Sequence, residues 1–163
     1  MAGLIGARFT SNARLKLERT QQELQKHLLG QLKSSAQDIA NLATLNAPID
    51  TGATQDAIIV EKPRRDGTNF AYTFTVGVNT NRFLALASSR KQDWKPFKYF
   101  EVWLHESQYE LGPKSLAKQQ VVKSVNPKAQ VGNKYLYRAQ QSLQPQINEQ
   151  ARKTVNKVLA RQK

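Results

Sequence analysis

A chain of 163 residues and 18.4 kDa is long enough for one domain that buries roughly two-thirds of the surface its unfolded form exposes. Cysteine is absent, which excludes a disulfide framework and thiolate zinc ligation. The 25 basic side chains against 12 acidic ones leave +13, and residues 111–163 hold eleven basic groups against one acid, Glu149, a field suited to nucleic acid or an acidic protein surface. No stretch approaches the roughly 18 apolar residues of a membrane span, and the run AGLIGARF after Met1 is too short for a signal-peptide core, so a soluble protein is expected.

Residues 10–46 contain no proline, and Leu17, Leu24, Leu28, Leu32, Ala36, Ile39 and Ala43 recur mostly at spacings of three, four or seven. That periodicity predicts one long amphipathic helix over about 10–46. Straight-chain polar residues such as Arg19, Gln22, Lys26 and Gln37 fill the wet face and favour helix, with Gly30 the weak point. Pro48 disfavours helical backbone at Ala47, so the helix should end near Asn46. Residues 57–60, the polar tip at 64–69 and the alternating FAYTFTVGV predict a β-hairpin over about 57–78 with one buried face.

Residues 79–96 and 107–133 read as two long loops, the second punctuated by Gly112-Pro113, Asn126-Pro127 and Gly132, with a short strand at Gln120-Val121-Val122. Between them PFKYFEVWLHES reads as a short buried helix. A last helix over about 134–161 carries Tyr135, Leu136, Ala139, Leu143, Ile147, Ala151, Val155 and Val158 as one stripe, and Pro145 should kink it or shorten its first half. The expected fold is α+β in a single domain: a small antiparallel sheet packed against a long N-terminal helix and a C-terminal helix.

The triplet Asp50-Thr51-Gly52 matches the active-site loop of retroviral-type aspartic proteases, whose chemistry needs two aspartates sharing one proton and hence a homodimer using Asp50 twice. That fold is nearly all-β and places the triplet after an apolar strand, whereas here a helical pattern and a proline precede it. The other reading is a turn built from Pro48, Asp50, Thr51 and Gly52, in which Asp50 or Thr51 accepts backbone N–H groups and Gly52 takes positive φ. His27 and His105 have no metal-spaced partner, no serine has the surroundings of a nucleophile, and no glycine-rich loop follows a strand, so no catalytic residue, metal ligand or cofactor is expected. Arg64 and Arg65 at the hairpin tip and Arg152, Lys153, Lys157 and Arg161 on the last helix are the candidate docking or anion contacts. With Trp94, Phe97, Tyr99 and Trp103 available for stacking, they also allow a basic nucleic-acid-binding protein. Those four aromatics equally suit a core.

Four segments in order, APIDTG, TVGV, YFEVWLHES and VGNKYLYRA, resemble the tail-completion or neck family of tailed double-stranded DNA phages. That family typically shows an APxDTGxL turn, an xVGV strand, a tyrosine and glutamate or HExGT segment, and a glycine then FLxxA before the last helix. The likeness covers about residues 30–160 and falls on Ala47, Pro48, Asp50, Thr51, Gly52, Ile58, Val76, Gly77, Val78, Tyr99, Glu101, His105, Glu106, Gly132, Tyr135, Leu136 and Ala139. Thr54 stands where the family usually has leucine, and Ser107 replaces a glycine. The resemblance implies a non-enzymatic structural virion protein, made in the bacterial host cytoplasm, that forms a six- or twelve-fold ring at the head–tail junction. Its implied partners are other copies of itself, the portal or adaptor complex and tail proteins, with DNA in the lumen as a further contact and no membrane.

Overall fold

A computed structural model describes residues 11–49, 52–66, 71–90, 107, 110–127 and 129–161. Helix α1, Ser11–Asn46, has 36 residues and so runs roughly 54 Å. It ends where the sequence demands: the Ala47 amide still donates to the Ala43 carbonyl at 2.8 Å, and Pro48 then has no N–H to continue the ladder. After the turn, Ala53–Asp56 forms the single-turn helix α2.

The hairpin is two ladders joined by a bulge. Strand β1, Ile58–Val60, pairs antiparallel with β4, Val76–Val78, in the register Ile58↔Val78 and Val60↔Val76, and the Glu61 amide extends the pairing to the Thr75 carbonyl at 2.9 Å. Strand β2, Arg64–Asp66, pairs with β3, Ala71–Thr73, in the register Arg64↔Thr73. Lys62 and Pro63 therefore stand opposite Phe74 alone, two residues against one, and Pro63 has no N–H to donate across the strands. The extra residue shifts the face that each side chain of the tip presents.

Two expected loops are partly helical. Within 79–96, Thr80–Ser89 forms α3, because the Asn79 side chain accepts the Arg82 amide at 2.9 Å as an N-cap, and Phe83 and Ala87, one turn apart, are buried. Within 107–133, Pro113–Val125 forms α4, so Gln120-Val121-Val122 is helix and not strand. Gly112-Pro113, read as a loop breaker, is a helix start with proline at its first turn, and the following Lys, Leu, Ala and Gln residues favour helix. The segment PFKYFEVWLHES lies outside the described residues except Ser107.

Helix α5, Tyr135–Ala160, continues through Pro145 and packs along α1. Tyr135 and Ala139 meet Ala43 and Ala47 at one end, while Thr154 Oγ1 donates to Gln31 Oε1 at 2.7 Å at the other, so the two helices are antiparallel. Ala36, Ala40 and Ala43 are buried along one face of α1, and Ala43 and the following Ala47 pack in one cluster with Tyr135 and Ala139. A second cluster joins Ala53 and Ala57 to Phe83 and Ala87, and Val78 packs against both clusters. The fold is thus α+β and mostly helical, with a small antiparallel strand set held against the α1–α5 pair.

Candidate functional site

The turn after α1 is a junction. Asp50 and Thr51 lie outside the described residues. Gly52 has φ 70°, the left-handed region, and a Cβ there would stand 2.9 Å from Arg90 Nη1. Arg90 Nη2 in turn reaches Asp56 Oδ2 at 2.7 Å, so the turn, α2 and the end of α3 are tied at one point. Pro48 is half-buried, and the Ile49 amide beside it donates to the fully buried Ser115 hydroxyl on α4 at 2.9 Å.

The last carbonyls of α1 need partners once the helix stops, and they find them far along the chain. Lys118 Nζ on α4 donates to the Thr44 and Ala47 carbonyls at 3.1 and 2.9 Å, Gln55 Nε2 on α2 reaches the same two oxygens at 2.9 and 3.3 Å, and the Gly132 amide donates to the Asn46 carbonyl at 3.0 Å. A cation suits the negative end of the helix dipole. Burial nevertheless pulls the Lys118 amine down from 10.5 to about 8. Sequence reasoning missed Lys118, Gln55 and Ser115, because only the terminating Pro48 hinted that a cap was required and nothing local named its donors.

The two elements that carry the basic candidates both touch the middle of α1, on different sides of it. At the tip, Tyr72 is the register partner of Arg65, and its hydroxyl accepts from Gln25 Nε2 at 2.6 Å, which holds β3 against α1. Arg64 and Arg65 are exposed. On α5, Arg152, Lys153, Lys157 and Arg161 are exposed as well, and Lys153 Nζ meets Glu149 Oε1 at 2.6 Å, a hydrogen bond that, with its charge, lowers the Glu149 carboxyl. Thr154 touches α1 at Gln31, six residues or roughly 9 Å along the helix from the Tyr72 contact at Gln25. Beyond that point α1 outruns α5, and Leu15 and Leu17 are 51% and 69% exposed.

Two concave surfaces flank this region. One, about 230 Å³, lies under Tyr72 and is lined by Leu24, Leu28, Leu29 and Leu32 of α1. The other, about 490 Å³, lies between α1, the turn before β4 and the start of α5, and is lined by Ile39, Phe74, Val76, Leu136 and Tyr137 among others. Among the described residues, the linings of both surfaces are leucine, isoleucine, valine and aromatic side chains with glutamine and threonine, and hold no carboxylate or histidine. Among the described residues no three His, Asp or Glu side chains gather as a metal would require, His27 is exposed on α1, and no helix is long and apolar enough to cross a membrane. No protein family, characterised protein or solved structure matches this chain.

Proposed function

We propose that this chain is a structural protein of a tailed phage particle, forming a ring at the head–tail junction that joins the portal or adaptor complex to the tail. The observation that carries the reading is where the resembling segments meet. Ala47 from APIDTG, Val78 from TVGV, and Tyr135, Leu136 and Ala139 from VGNKYLYRA contribute to one core cluster, with Ile58 beside them. Segments that resemble a family in sequence and pack against one another here support a shared framework more strongly than the same segments scattered over a surface would. The third, YFEVWLHES, adds nothing, since it lies outside the described residues except Ser107.

On this reading the DTG triplet works as a turn. Gly52 in the left-handed region, the caps on α1 and the Arg90–Asp56 pair are all devices for turning a long helix into a hairpin. An aspartic protease draws no support from a mostly helical chain. A basic nucleic-acid-binding role keeps one specific observation in its favour, the exposed arginines and lysines of the tip and of α5. Rings docking on rings tolerate modest affinity per contact, because later contacts are effectively intramolecular.

The test is an antibody against the full chain used to label purified particles from its source for electron microscopy. Gold at the head–tail junction is the expected result. Label absent from both intact and separated particles, together with tight DNA binding that falls steeply with salt, would transfer the assignment to nucleic-acid binding.

A further inference from the structure

The ladder between β1 and β4 leaves one edge blunted and the other open. The Glu61 amide donates to the Thr75 carbonyl at 2.9 Å and the Asn79 amide to the Ala57 carbonyl at 2.8 Å, so the odd-numbered residues form the hydrogen-bonded pairs of this antiparallel ladder. Ile58 and Val60 on β1, and Val76 and Val78 on β4, are the alternate residues, whose N–H and C=O groups point outward. On the β1 side the chain runs on into Glu61, Lys62 and Pro63, all exposed, where charge and a missing N–H discourage further pairing. The β4 side, from Phe74 to Val78, holds neither charge nor proline. Gly77 has nothing within 4 Å of where a Cβ would stand, so no side chain screens the backbone there.

Among the described residues, no hydrogen bond reaches the outward backbone groups of Val76 or Val78. The larger crevice, about 490 Å³, lies on the same side: Val76 lines it together with Ile39 of α1 and Leu136, Tyr137 and Gln140 of α5, and no residue of β1 does. The open edge thus borders an uncharged, largely apolar recess. Donors and acceptors at every second residue match another extended backbone, which has the same repeat. A folded second copy is a poor occupant. A stable dimer buries about 1,200–2,000 Å², more than a three-residue strand edge roughly 10 Å long supplies, and two chains of +13 repel.

We propose that the open edge of β4 receives an extended segment of a partner protein, uncharged and apolar at alternate positions, which pairs with Val76 and Val78 as an added strand and sets its apolar side chains into the crevice beside α5. Main-chain hydrogen bonds supply the attachment, and the crevice supplies the choice of side chain. The proposal stands on the edge and the crevice and does not depend on the head–tail reading.

Amide hydrogen exchange of the full chain, followed by NMR, tests it with a short peptide of alternating valine and threonine as the probe. In the free protein the Val76 and Val78 amides should exchange at least about tenfold faster than that of Gly77, which is bonded within the ladder. Saturating peptide should slow both by about tenfold or more and leave Ile58 and Val60 unchanged. The same peptide N-methylated at every residue keeps its side chains, loses its donors and should have no effect. Gln140→Trp, at an exposed position on the crevice, should weaken the peptide by about tenfold or more, whereas Lys62→Gln at the blunted edge should not. Val76 and Val78 amides as slow as Gly77 in the free protein would overturn the proposal, because the chain would already cover its own edge. So would failure of the unmethylated peptide to slow either amide, or equal protection by the N-methylated one, which would reduce the site to an apolar cleft. Protection that grows with protein concentration in the absence of peptide would make a second copy the occupant and sink the idea as well.

Discussion

Two substitutions of glycine by alanine should move stability in opposite directions, and the reason is written in the backbone of each. At Gly52, φ 70° and the Arg90 guanidinium at 2.9 Å from the missing Cβ both oppose a side chain. Left-handed backbone costs a residue with a Cβ about 1–2 kcal/mol, so Gly52→Ala should lower the Tm by roughly 2–8 °C for a chain of this size. Lys118 offers a residue-scale prediction in pH. Its amine titrates near 8 in the folded protein and at its ordinary 10.5 when unfolded, so between those values the unfolded chain holds a proton that the folded chain has released. Stability contributed by this group therefore rises as pH climbs from about 8 to 10.5. A neutral amine still has two hydrogens for the Thr44 and Ala47 carbonyls, so the cap survives the change. Urea denaturation of the wild type and Lys118→Met across that window should show their difference moving in favour of the wild type as pH increases. A difference that stays flat, or moves the other way, would mean that the amine keeps its ordinary titration.

At the scale of elements, Gly30 sits exposed in the middle of α1 with open space where a Cβ would go. Gly30→Ala should stabilise the helix by about 1 kcal/mol, a rise in Tm of roughly 2–4 °C by thermal melt. The course of α1 was legible because its period and its terminating Pro48 are local signals, and the same holds for the stripe of α5 from Tyr135 to Val158. Helix α3 was not, since the mixed, mostly polar stretch 79–96 around it masked the Asn79 cap and the short FLALA run that carries Phe83 and Ala87, and α4 was not, because Gly112-Pro113 serves equally as a breaker and as a start. The bulge at Lys62–Pro63 could not be read either. One proline in a hairpin permits an edge position or a bulge, and only the register of both ladders distinguishes them. Of the candidate site, the exposed basic residues were visible as charge, whereas the attachment of the elements that carry them to the middle of α1 depends on Gln25–Tyr72 and Gln31–Thr154, contacts between residues far apart in sequence.

At the scale of the whole molecule, a net charge of +13 constrains how copies can meet. In the ring proposed above, six or twelve copies would multiply that charge in a small volume, and like-charged subunits repel before they touch. Ion pairs between copies are a limited remedy, because 25 basic side chains face only 12 acids, three of which are engaged within the chain: Glu18 by Arg14, Asp56 by Arg90 and Glu149 by Lys153. Apolar contact is the available attraction, and Val121, Val125 and Leu159 are 67%, 86% and 51% exposed on α4 and α5. Salt should then act on the repulsion and leave the attraction intact. The screening length falls from ~30 Å at 0.01 M to ~3 Å at 1 M salt, so the assembled fraction of the purified chain, measured by sedimentation velocity at fixed protein concentration, should rise with salt across that range. Assembly that dissolves as salt is added would mean that charge pairs hold the copies together, and the apolar faces of α4 and α5 would then have to serve some other contact.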